Sequence, residues 1–320
     1  MNNLTTQPNY PYLKIEIFVV LTLLLLSCEQ KQNQISSGKI NLQNKNIQIP
    51  DLVALKSVQT RLPGPEDPGE WLYVYNKSAQ SYEEYRNSKP VQPTPEQNKI
   101  YLKPIGTFDS SEVRIFNSLR EYTQVFFGLE TILLDPVSDS IIPEEARRIH
   151  KGIEQIHTKY ILKQTVREGL PEDAIAYVSI TSKDLYPKKS WNFVFGQASL
   201  KHKVGVVSIY RLKSGNLKSG NQGLYLNRLM KTTTHELGHT FSIKHCTTYK
   251  CIMNGSISLE EADHKPSWLC PECLAKLAWC TGTDISDRYE ALISFLTKQG
   301  YAEKVKFYKK SQEILWNKAG

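Results

Sequence analysis

A crowding of metal-ligating side chains constrains this chain more than any other feature: five of its six Cys and four of its seven His lie between positions 235 and 280 of 320 residues. At the head of that stretch stands His235-Glu236-Leu237-Gly238-His239, and Leu226 to His239 reads as a helix. Residues i and i+4 of a helix face the same way, so both imidazoles can reach one cation with Glu236 beside it. His245 follows six residues after His239, and Met253 lies eight beyond that. Three neutral His ligands leave a fourth tetrahedral position open, as a catalytic zinc requires and a closed structural zinc does not. Zinc lowers the pKa of a water to about 7 and polarises a carbonyl. Glu236 is then the expected general base, taking the proton from that water and returning it to the leaving amine. A rival third ligand from Glu260, Glu261 or Glu272 is disfavoured by the well-spaced His245.

A second set adjoins the first. Cys246, Cys251, Cys270 and Cys273 form C-x4-C and, after 18 residues, C-x2-C. Four thiolates in two close pairs suit a closed tetrahedral zinc that cross-links the fold without doing chemistry. The competing reading is two disulfides, Cys246 with Cys251 and Cys270 with Cys273, which an exported chain would permit. Zinc is the expectation, because a C-x2-C bridge closes a tight, strained loop whereas C-x2-C is a common zinc knuckle. Cys280 is left over and reads as a small buried residue. His264, in E-E-A-D-H-K-P, has no ligand spacing and reads as a solvated loop residue.

The N-terminus bears on compartment. Ile17 to Leu26 is an apolar run broken only by Thr22, too short for a membrane-spanning helix, which needs about 20 apolar residues. Ending Leu25-Leu26-Ser27-Cys28, it resembles the lipobox of bacterial lipoproteins. The expectation is a signal peptide at 1–27, a lipidated Cys28, a Gln/Asn-rich flexible tether at 28–50 and a folded domain at 51–320. The protein is then exported and lipid-anchored, on the periplasmic or surface side of a bacterial membrane.

Globular composition, 40% hydrophobic and 22% charged, excludes disorder and collagen-like repetition. The net charge of +8 is no nucleic-acid signature, since no Lys/Arg-aromatic pattern surrounds the four Cys; a basic domain near an anionic membrane surface fits it better. Strand candidates are Trp71–Tyr75, Ile100–Ile105 with Pro104 making its end an edge, Ala174–Thr181 and Val204–Leu212. Helices are expected from Ser110 or Ser111 through Phe126, and from Pro143 through Tyr160 with Ile149, Ile153 and Ile156 inward. That second helix would carry His150 and His157 on one face, without a carboxylate or Cys in ligand spacing. Asp287 can cap a further helix ended by Gly300, and a Lys-rich helix with Val305, Tyr308 and Leu315 as its stripe closes the chain. The class is α/β (α+β), a mixed twisted sheet flanked by helices, in an N-terminal part (51–239) and a zinc-stabilised C-terminal part (240–320) with terminal helices.

The order H-E-x-x-H, third His, Met is the metzincin pattern. The strings H-E-L-G-H-T-F-S-I-K-H-C-T-T-Y-K-C-I-M-N and S-L-E-E-A-D-H-K-P-S-W-L-C-P-E-C, with D-L-Y-P-K-K-S-W-N-F-V-F-G-Q-A-S-L upstream, resemble the archaemetzincin family of zinc metalloproteases. The resemblance covers roughly residues 60–280. It implies a zincin fold and two Zn2+, one held by His235, His239 and His245 and one by Cys246, Cys251, Cys270 and Cys273. It also implies Met253 as the Met-turn, Glu236 as general base, and Phe193 to Leu200 as an edge strand on which an extended peptide could pair. The expected partner is a peptide or protein substrate, cleaved by a monomer that binds no nucleic acid. One position departs from the pattern: Ser242 stands where the family has the Gly that turns the chain from helix to third ligand, at a cost on the order of 1 kcal/mol if φ is positive. The alternative reading is a zinc- or peptide-binding lipoprotein of the same fold that has lost turnover, against which the retained Glu236 argues.

Overall fold

The structure, a computed structural model, describes residues 52–62, 68–75, 77–165, 167, 169–213 and 221–316. The expected signal, Cys28 and the tether lie outside these residues. No helix among the described residues is long and apolar enough to cross a membrane.

After a 3-10 turn at Val53–Val58, the elements run α1 (Trp71–Tyr75), α2 (Tyr82–Asn87), β1 (Lys99–Ile105), α3 (Ser110–Phe127), β2 (Thr131–Leu133), β3 (Arg147–His150), β4 (Ile153–His157), β5 (Ala174–Thr181), β6 (Asp184–Tyr186), β7 (Gly196–Ala198) and β8 (Val204–Ser208). Then come α4 (Gln222–Thr240), α5 (Leu259–His264), α6 (Pro271–Thr281), α7 (Ile285–Lys298) and α8 (Ala302–Trp316). A five-stranded sheet has the order β2-β1-β5-β8-β7 and a three-stranded sheet the order β3-β4-β6. In the larger sheet only β7 is antiparallel to its neighbour. This is the mixed α/β architecture expected.

Strand alternation divides the core. Ala176, Val178 and Ile180 of β5 join the helical side with Phe116, Leu119, Leu229 and Leu237, while Tyr177 joins Tyr101, Ile156, Leu185 and Val206 on the side of the small sheet. The first core also takes Ile252, Leu274 and Leu292, so side chains from both sides of position 240 fill it.

Three expectations on elements are corrected. The segment expected as a helix through Ile149, Ile153 and Ile156 is the hairpin β3–β4, turned by Lys151 and Gly152 at φ 51° and 76°. Two successive positive φ values match the twist of a two-residue hairpin loop, and the apolar spacing that suggested one inward helix face is divided between faces, Ile156 being buried and Ile149 exposed. His150 and His157 are therefore on different strands and share no metal cluster. Trp71–Tyr75 is a short helix, not a strand, because Trp71 packs inward at the site described below. β1 is interior rather than at an edge, yet Pro104 is tolerated: even-numbered residues of β1 face β2, and the last β2 pair is Leu102 with Leu133, so the missing N–H falls beyond that strand's end. Caps also differ in detail, with Asp109 closing a capping box with Glu112 on α3 and Asp284 rather than Asp287 capping α7.

Candidate metal centre and active-site cleft

Helix α4 carries His235 and His239 one turn apart. The Nδ1–H of His235 donates to the Ile252 carbonyl at 2.9 Å, and that of His239 to the Ile243 carbonyl at 2.7 Å. A carbonyl can only accept, so the proton of each neutral ring sits on Nδ1 and the Nε2 lone pair faces inward. His245 completes the set: the Nε2 atoms lie 3.1, 3.2 and 3.3 Å apart. Three lone pairs at that spacing need a cation. Zinc–nitrogen bonds of about 2.0–2.1 Å at the tetrahedral angle put donors about 3.3–3.4 Å apart, so the site fits zinc. Burial holds the rings neutral, taking His235 well below its ordinary pKa, His239 to about 4 and His245 to about 2. Glu236 is buried in the same wall; with no cation beside it desolvation raises it to about 8, Lys265 opposing the shift, and a bound divalent cation would draw it back to the carboxylate. Among the described residues no carboxylate joins the cluster; Glu261 instead accepts the Trp71 and Ile257 backbone N–H groups, and Glu272 that of Tyr82.

Two glycines make room for this arrangement. A Cβ on Gly238 would stand 2.5 Å from the Met253 sulfur, which explains Gly within H-E-L-G-H and puts the buried Met253 directly against the ligand helix. A Cβ on Gly196 of β7 would stand 2.7 Å from Glu236 Oε1.

The turn from α4 to His245 is a Schellman motif, with Ile243 N–H donating to Gly238 O at 3.1 Å and Ser242 N–H to His239 O at 2.9 Å. Ser242 takes the left-handed position at φ 66°, so the serine departure is accommodated with the turn preserved. Its hydroxyl accepts from Val91 N–H at 3.0 Å and donates to Leu200 O at 2.7 Å. Tyr85 donates to Phe241 O at 2.8 Å, and Gln80 Oε1 accepts from Lys244 N–H at 3.1 Å. Asn254 then locks the following loop, donating to Cys246 O and Tyr249 O and accepting from Cys251 N–H. Sequence reading missed Gln80, Tyr85 and Asn254, because a side chain that bonds a distant backbone leaves no spacing signal.

The four cysteines converge behind this loop. Their sulfurs lie within 4.8 Å of one another, with Cys246 and Cys270 3.7 Å apart, and none is disulfide-bonded. A disulfide needs about 2.05 Å, whereas zinc–sulfur bonds of about 2.3 Å at tetrahedral angles give about 3.8 Å, so the set fits zinc and not two bridges. Burial pushes the Cys251 thiol up while hydrogen bonds from the other three pull Cys246 down; only a divalent cation lets all four ionise. Cys280 is buried apart from them and donates to Val91 O. His264 is exposed at the end of α5.

The three His rings and Glu236 open onto a cleft of about 850 Å3 between β7 and the α1 region, walled by Trp71, Tyr75, Trp191 and Phe195. Phe195 O accepts from Ser208 N–H, and Ser199 N–H donates to Val204 O. Alternation therefore turns the N–H and C=O of Gly196 and Ala198 away from β8, toward the cleft. The hairpin braces this edge: Arg148 donates to the carbonyls of Lys189, Trp191 and Asn192, and Gln155 to that of Asn192.

Comparison with known proteins agrees with this geometry. The model of peptidase family M54 matches residues 147–279. Human archaemetzincin-2 is 36% identical over 72% of each chain, and human archaemetzincin-1 is 29% identical over 71% of this chain and 52% of its own. The crystal structure of archaemetzincin from Methanopyrus kandleri is 30% identical, with a TM-score of 0.49 over 60% of this chain and 99% of that one. A chain with this level of identity over most of its length, carrying histidine and cysteine clusters spaced for zinc, belongs to the archaemetzincins and is a zinc metallopeptidase.

Proposed function

We propose that His235, His239 and His245 hold the catalytic zinc, that Cys246, Cys251, Cys270 and Cys273 hold a second, structural zinc, and that Glu236 is the general base in the hydrolysis of peptides or short protein segments. His235, His239 and His245 would hold the zinc, which when bound would supply a Lewis acid for the scissile carbonyl and the attacking water. The Glu236 carboxylate takes the proton of that water and carries it to the leaving nitrogen. The substrate backbone is oriented by antiparallel or parallel pairing with Gly196 and Ala198, which leads it past Glu236. The mutual spacing of the three Nε2 atoms carries this reading.

Glu236→Gln tests the role of the carboxylate. Zinc content should stay as in the wild type while peptide cleavage falls on the order of 10²- to 10⁴-fold, the usual worth of a positioned acid–base group; unchanged cleavage would remove Glu236 from the chemistry. The leader sequence supports a lipid-anchored chain at a bacterial membrane surface. Cys28→Ser should then release the protein from the membrane fraction and abolish labelling by fatty acid.

A further inference from the structure

His235 and His239 are fixed twice, by their helix and by the carbonyls that take their Nδ1 protons. His245 has neither support. It lies beyond the helix, and among the described residues no hydrogen bond to its Nδ1 is present, so rotation about its side-chain bonds has no polar brake. Besides the rings of His235 and His239, what packs on its ring is Trp71, with centroids 4.5 Å apart at 51°.

Trp71 is itself held from two sides. Glu261 Oε1 accepts its backbone N–H at 2.9 Å. Its indole lies so close to Gly255 that a Cβ there would come within 2.1 Å of the ring. The same N-terminal stretch holds the segment before His245, Gln80 and Tyr85 through its backbone and Val91 through the Ser242 hydroxyl. Trp71, Gln80, Tyr85 and Val91 all precede the span that the M54 family model matches, 147–279.

We propose that Trp71 is a positioning residue of the metal centre: its indole, seated on Gly255 and against the His245 ring, replaces the missing hydrogen bond and fixes the angle at which His245 presents Nε2. The proposal rests on the reading of His245 as a zinc ligand. Residues supporting a ligand's orientation are worth about 10- to 100-fold in metal affinity.

The test is chelator competition on the full chain loaded with two zincs, with cobalt substitution at the histidine site as a spectroscopic readout. Trp71→Leu, which fills space without a ring, should weaken the histidine-site metal 10- to 100-fold and alter the cobalt bands while the cysteine-site zinc stays bound. Trp71→Phe should hold the metal within a few-fold of wild type. Gly255→Ala keeps every ligand and Trp71 but unseats the indole, and should reproduce the Leu result, which keeps the question decidable if Trp71→Leu does not fold. Wild-type affinity in both Trp71→Leu and Gly255→Ala overturns the proposal, as does a change in KM with metal affinity intact. A wild-type protein whose metal content is indifferent to His245→Ala overturns the ligand reading beneath it.

Discussion

At Ser242 the balance of local energies can be worked out. A left-handed φ costs an L-residue roughly 1–2 kcal/mol, and Gly would avoid it. The Ser242 hydroxyl, however, makes two hydrogen bonds, to Val91 N–H and Leu200 O, each worth about 0.5–1.5 kcal/mol net. The two effects nearly cancel. Ser242→Gly should therefore move the urea midpoint little, whereas Ser242→Ala keeps the strain, loses both bonds and should cost about 1–3 kcal/mol. Equal midpoints for Ser and Ala would show that the hydroxyl contributes nothing, and equal midpoints for Gly and Ala that the left-handed φ carries no cost. Gly196 makes a sharper point about activity. Its substitution by Ala puts a methyl 2.7 Å from Glu236 Oε1, so turnover of a model peptide should drop by at least about 10-fold, as a roughly 1 Å displacement of a catalytic group commonly costs more than that. Zinc content should hold.

Among the elements, α4, α5 and α8 meet around three lysines. Lys231 donates to the carbonyls of Ala262, Asp263 and Lys265, closing the C-terminal end of α5 where the helix dipole is negative. Lys304 of α8 reaches Asn227 Oδ1, lies over the Tyr301 ring at 4.1 Å, and is depressed to about 7 by burial first and by Lys231 second. Its folded pKa lies below the unfolded value of 10.5, so the native state binds fewer protons between the two and stability rises with pH across about 7 to 10.5. Below that window the cost of burying the charge is fully present. Lys304→Met should be more stable than wild type near pH 6.5, with the difference shrinking toward pH 10; parallel urea midpoints across that range would contradict it. These elements also show what the sequence discloses. The ligand helix was legible because i and i+4 spacing has a geometric meaning on its own, and α3 because its apolar residues recur every three or four. The hairpin β3–β4 was misread because Ile149, Ile153, Ile156 and Tyr160 satisfy a helical period, and the Lys151-Gly152 turn is a weaker signal than Asn-Gly. Helix α1 was unreadable because what shapes it, the Gly255 seat and the Glu261 clamp, lies far along the chain.

For the whole molecule, the two proposed metal sites would be coupled differently to the fold. The histidine cluster opens on the cleft from a helix already packed in the core, whereas the cysteines join the loop after His245 to the N-terminus of α6, where Cys270 is the cap. Removing the first metal should end cleavage with the far-ultraviolet spectrum unchanged. Removing the second should lower the melting temperature markedly, since structural zinc binding is itself folding free energy. A mild chelator followed by a strong one, with zinc content, activity and melting followed together, resolves the two steps; simultaneous loss of everything at the first step would contradict separate roles. Both roles depend on where zinc sits. Anomalous scattering from crystals of the intact domain, collected at the zinc edge, should give two peaks per chain, one among the Nε2 atoms of His235, His239 and His245 and one among the sulfurs of Cys246, Cys251, Cys270 and Cys273. A single peak, or density for Cys246–Cys251 and Cys270–Cys273 disulfides, would contradict it.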